Sequence, residues 1–209
     1  MMYLSKGLLI RKNQNILTVS HCGAEYDLMD ERAAVWESGR KEPREVDEVR
    51  RVSRRTGVWE SGWQEPQEII NNNQEKILLE LSKTGLAETS PDTGNEAVFR
   101  ILINCAICPI EKLAFPALWS QPERRLYKWL TKAGLRLTIA ELVYLNQNKI
   151  KPVSELLGEV NRQALTETIY NSNSISDGIL ESLMERSPER DNTVNTVIKL
   201  LHRKVIFLV

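Results

Sequence analysis

The residues whose types and spacing suggest chemistry are few. Cys105-Ala106-Ile107-Cys108 has a metal-like spacing, and His21-Cys22 would complete four ligands if strands brought the two pairs together. The competing expectation is plain packing. Positions i and i+3 on an extended chain point to opposite faces, and a free cysteine is commonly a small buried apolar residue. Three cysteines, Cys22, Cys105 and Cys108, are also too few and too odd in number for a disulfide framework, which agrees with a reducing compartment. No nucleotide loop, serine elbow, His-Glu-x-x-His run or recognisable pair of catalytic carboxylates occurs. His202 stands beside Arg203 and Lys204, where it would complement a helix dipole or meet a phosphate. The expectation is a protein that is not an enzyme and carries no metal or cofactor.

Side chains suited to binding are more plentiful. In the stretch 175–209, Ile179, Leu180 and Leu183 mark a short helix, and Ser187-Pro188-Glu189-Arg190-Asp191 breaks it at a corner. Asp191 or Asn192 can cap a second helix, along which Val194, Val197, Ile198 and Leu201 recur at i, i+3, i+4 and i+7. Thr193, Asn195, Thr196, Lys199 and Arg203 fall on its other faces, polar first and basic towards the end. A β-type run, Val205 to Val209, follows at once. These residues resemble the second and third helices of winged-helix repressors of the penicillinase-repressor type over about 35 residues. The resemblance implies a helix-turn-helix that binds double-stranded DNA through Thr193, Asn195, Thr196, Lys199 and Arg203. Lys204-Val205 stands where that family has a glycine before its wing, so no wing contact is carried over to this end.

Two further segments could serve a duplex. Arg50, Arg51, Arg54 and Arg55, at i, i+1, i+4 and i+5 of a helix with a thin edge of Val46, Val49 and Val52, would gather four guanidinium groups for phosphates. Asp47 and Glu48 dilute that patch. From Glu65-Pro66 a helical run carries Ile69, Ile70, Ile77, Leu78, Leu79 and Leu81, with Asn71, Asn72 and Gln74 as amides able to bond adenine edges. A hairpin is expected after it, with strands at Leu86–Ser90 and Ala97–Ile103 around a turn at Pro91 to Asn95. Helix, strand, tip and strand in that order look like the third helix and wing of a winged-helix domain.

The N-terminus reads differently. Gly7 to Ile10, Ile16 to Val19 and Glu25 to Met29 form an antiparallel meander, and Asp30 can cap a helix from Glu31 that ends by Gly39. Strands before the first helix resemble, in element order over about 80 residues, peptide-recognition domains of the pyrroloquinoline-quinone chaperone type. That resemblance implies capture of a leader peptide by an edge strand. Val35-Trp36-Glu37-Ser38-Gly39 recurs as Val58-Trp59-Glu60-Ser61-Gly62, a duplicated helix end, since two copies cannot stack into a solenoid.

The whole chain has 209 residues, with 28 Lys and Arg against 28 Asp and Glu, so no global field draws it to nucleic acid. Residues 1–104 hold 14 basic and 17 acidic side chains and the rest 14 and 11, which makes the second half the better partner for a polyanion. No apolar run of 18 residues occurs and charges follow Met1 closely, so a cytoplasmic protein without membrane partners is expected. The expected fold is mainly α with small antiparallel β, an α+β chain of two winged-helix-like units in tandem. Its divisions are 1–108, a linker at 109–122 where Pro109, Pro116 and Pro122 interrupt regular structure, and a helical domain at 123–209. The helix Glu123 to Ala133 is able to join two protomers in a homodimer. Two functions follow: a DNA-binding transcriptional regulator or, alternatively, a protein- or peptide-interaction module.

Overall fold

The computed structural model describes residues 1–13, 16–46, 67–110, 119–132, 136–149, 159–170 and 179–209, with the backbone alone at 67–72 and 159–161. The class is α+β. Contacts divide the chain into two compact units, Met1–Ile101 with Leu208–Val209, and Leu102–Phe207. No described helix is long and apolar enough to cross a membrane.

Unit 1 begins with β1 (Met2–Ser5), β2 (Leu8–Lys12), β3 (Ile16–His21) and β4 (Ala24–Met29), followed by α1 (Asp30–Gly39) and β5 (Arg44–Glu45). Next come α2 (Gln67–Lys83), β6 (Ala87–Ser90) and α3 (Gly94–Ile103), whose last turn passes into unit 2. Strands β2, β3 and β4 form the expected meander, antiparallel throughout. Cys22 and Gly23 both have positive φ, the two-residue turn that matches the twist of a hairpin. A second sheet, β5-β1-β6, was not anticipated from sequence. All four residues of β1 are buried, and Met2 to Ser5 pair with Ser90 to Ala87.

The core between these layers holds Tyr3, Val19, Leu28, Trp36, Leu78 and Leu81. The Trp36 indole N–H donates to the Lys6 carbonyl at 2.9 Å, and the Tyr3 hydroxyl donates to the Val35 carbonyl at 3.1 Å. Gly39 closes α1 for a steric reason: a Cβ there would fall on the Tyr3 ring. Asp30 is not the cap of α1. It is the helix's first residue, and Met29 occupies the cap position without a side-chain bond.

The hairpin expected over 86–103 is half right. Leu86–Ser90 supplies β6, but Ala97–Ile103 belongs to α3, where Ala97, Val98, Ile101 and Leu102 are buried at helical spacing. A short apolar run fits a buried helix as well as a buried strand, and Gly94 with φ of 74° opens the helical course. The wing expected at this place is therefore absent, and β6 pairs with β1 instead.

Unit 2 runs β7 (Ala106–Pro109), α4 (Gln121–Lys132), β8 (Leu137–Thr138), α5 (Ile139–Gln147), α6 (Glu159–Tyr170), α7 (Ile179–Met184), α8 (Pro188–His202) and β9 (Ile206–Leu208), whose last residue is counted with unit 1. Its strands order as β8-β7-β9. The amphipathic helix expected from Glu123 is α4, with Leu126, Tyr127, Trp129 and Leu130 buried. Thr138 caps α5 as anticipated, in a reciprocal box with Glu141. The start of α8 needs correction. Ser187, rather than Asp191 or Asn192, is its cap, accepting from the Arg190 N–H at 3.1 Å. Pro188 then takes the first helical position, where its missing N–H costs nothing.

Candidate functional site

The side chains expected to face a duplex separate into three groups. Thr193 and Thr196 are buried, 2% and 5% exposed, and their hydroxyls donate to the carbonyls of Glu189 and Asn192, both at 2.7 Å. Short hydroxyls bond the preceding helical turn when water is excluded, so their polarity does not require exposure. Asn146 further seals Thr193 through an amide donated at 3.2 Å. Thr193 thus sits against α5, and neither threonine lies on an open face. Arg203 donates through Nε to Glu123 at 2.7 Å. Glu123 is almost wholly buried, which by itself would raise its carboxyl pKa. Bonds from Ser120 and the neighbouring Arg203 outweigh that burial and hold the group below the usual range. Arg203 therefore serves first as the counter-charge of a buried carboxylate. Asn195 and Lys199 remain exposed on α8.

In unit 1, Gln74 is buried and extends the inward stripe of Ile77, Leu78 and Leu81, so it is unavailable to a base edge. Its Oε1 has no hydrogen-bond partner among the described residues. The side chains of Asn71 and Asn72, the four arginines Arg50, Arg51, Arg54 and Arg55, and the second copy of the Val-Trp-Glu-Ser-Gly repeat lie outside the described residues. Cys105 and Cys108 are both buried, and no group of three or more His, Cys, Asp or Glu side chains able to hold a metal forms among the described residues. His21 is buried, and that burial, followed by the nearby Lys6 charge, lowers its pKa.

A cavity of about 300 Å³ opens beside β4. Leu28, Leu81 and Leu86 give it an apolar floor, while Glu25, Asp27, Arg32 and Glu80 supply charge around it. Arg32 of α1 pairs with Glu80 of α2 at 2.7 Å, so one acid is compensated and Glu25 and Asp27 are left in excess. β4 lies at an edge of its sheet, paired only with β3 among the described strands. The two-residue turn makes His21–Ala24 a hydrogen-bonded pair, and such pairs alternate along an antiparallel ladder. Val19–Tyr26 and Leu17–Leu28 are then bonded pairs. Glu25 and Asp27 consequently turn their N–H and C=O groups away from β3, along the edge that no described strand pairs. Compared with family models, with curated proteins and with solved structures, the chain matches none.

None of the residues around this cavity figured among the sequence candidates. The available signal was the alternation in Ala24-Glu25-Tyr26-Asp27-Leu28-Met29, acids on one face and Tyr26 and Leu28 on the other.

Proposed function

We propose that unit 1 is a peptide-recognition module in which an extended segment of a partner protein adds to the sheet as a strand along β4. The observation that carries it is the contrast between the two edges of the meander. β2 has a register shift between Leu9 and Arg11 and ends in two cations, Arg11 and Lys12, features that turn pairing away. β4 has none of these. Its register runs unbroken through six pairs, from Ile16–Met29 to His21–Ala24, and a cavity with an apolar floor lies alongside. Main-chain groups at Glu25 and Asp27 would bond the incoming strand, and the cavity would take alternate side chains. This also accords with the resemblance of element order to leader-peptide-binding domains. Peptide capture is preferred to duplex binding because, of the five α8-region side chains expected at DNA, two are buried and Arg203 is engaged by Glu123.

The test is selection of a displayed ten-residue peptide library on the full chain, followed by fluorescence anisotropy of the recovered peptides. Glu25→Pro deletes an N–H that the β3–β4 ladder does not use, and proline is tolerated on an edge strand. One lost bond of about 1 kcal/mol net should weaken binding roughly fivefold. A recovered peptide N-methylated at single amides should lose affinity at every second position. Failure to recover any binder, or equal tolerance of N-methylation at all positions, would refute strand addition.

A further inference from the structure

Resting on strand addition at β4, we infer that the captured segment is basic, with cationic side chains two residues apart around an apolar one. Successive side chains of a strand alternate between faces, and directly opposed residues of neighbouring strands share a face. Glu25 and Asp27 are exposed on the outer face, whereas Tyr26 and Leu28 turn inward to the core. Residues of an added strand opposite Glu25 and Asp27 would therefore meet carboxylates, and the one between them, opposite Tyr26, would turn towards the apolar floor of the cavity. Opposite charges across a strand pair stabilise it and like charges oppose it. The pattern cation, apolar, cation reads the same in both directions, so it applies to a parallel or an antiparallel guest.

The surrounding charges favour the same sign. Glu80 is compensated by Arg32 at 2.7 Å, and Lys12, one of the two cations of the opposite edge, is held by Glu37 at 2.7 Å. One oxygen of Asp27 accepts from the Thr18 hydroxyl at 2.7 Å, which fixes the carboxylate on its face and leaves its charge in place. The inferred partner is thus a basic, β-prone peptide segment.

Two labelled heptapeptides test it, one alternating lysine with valine and one alternating glutamate with valine, titrated into the full chain at low salt. The lysine peptide should bind roughly tenfold tighter, the sum of two cross-strand charge pairs turned from opposed to matched. Glu25→Gln with Asp27→Asn, which keeps an acceptor for Thr18, should abolish the preference. Glu25→Lys with Asp27→Lys should invert it. Equal binding of both peptides to the unaltered chain would overturn the basic assignment while leaving strand addition intact. A lysine preference that survives in the Gln/Asn variant would remove it from Glu25 and Asp27 and overturn the inference too. Binding of neither peptide, together with an empty library selection, would refute strand addition itself.

Discussion

Gln74→Met should stabilise unit 1. Gln74 occupies a position on α2 from which helical spacing leads to Ile77, Leu78 and Leu81, and it is 8% exposed. Its side-chain oxygen finds no partner among the described residues. A buried acceptor left without a donor costs about 1–3 kcal/mol, and an amide donor that is satisfied returns about 0.5–1.5 kcal/mol. Methionine has nearly the same length, is unbranched and flexible enough to fill the space of the amide fork, removes the unpaired oxygen, and keeps helix propensity. The expected net gain is therefore on the order of 1 kcal/mol. With a urea slope of roughly 2 kcal/mol per molar, the unfolding midpoint should move up by ~0.5 M at unchanged slope. Circular dichroism and tryptophan fluorescence should report the same shift. A midpoint that falls instead would mean that the amide is needed where it stands, and the assignment of Gln74 to the packing face would lose its energetic basis.

Two further outcomes follow from the described contacts. Tyr3 is fully buried and its pKa is pushed up to about 12, mainly by that burial, with the Ser38 bond and the Arg44 charge opposing. The raised value means that its contribution to stability is complete below pH 10 and is lost as pH rises from 10 to about 12, so tyrosinate absorbance should include a late component whose ionisation coincides with unfolding. Thr138→Ala removes the hydroxyl that accepts from the Glu141 N–H at 3.2 Å, leaves the half of the box in which the residue 138 N–H donates to the Glu141 carboxylate at 2.7 Å, and should destabilise unit 2 by about 1 kcal/mol in urea melts.

Much of the fold was legible because it is written in local chemistry. The meander shows in its β-type runs around Gly23, α4 in its apolar stripe, and the start of α5 in the Thr138–Glu141 pair. What failed did so for two physical reasons. Ala97–Ile103 is apolar at a length that suits either a strand or a helix, and the choice was made by burial of Ala97, Val98, Ile101 and Leu102. Thr193 and Thr196 are polar by composition, but each can satisfy its hydroxyl on the preceding turn, so polarity did not predict exposure. The pairing of the exposed Arg203 with Glu123 was illegible for another reason, since 80 residues separate the two in sequence.

The resemblance implied an edge strand of the meander, but which edge, and which residues, was illegible for a deeper reason. Strand addition uses main-chain N–H and C=O groups, which almost every residue carries, so no side-chain motif announces it. What the sequence does write is what an edge lacks. Arg11 and Lys12 mark β2 as an edge that discourages pairing, while 24–29 contains neither proline nor lysine. An edge left open carries a risk of unwanted association, and Glu25 and Asp27 answer it selectively. Their charges repel a second copy of β4 laid along the same edge, since acids would then face acids, yet they do not repel a basic strand. The two carboxylates therefore suit β4 both to avoid self-pairing and to accept one class of guest.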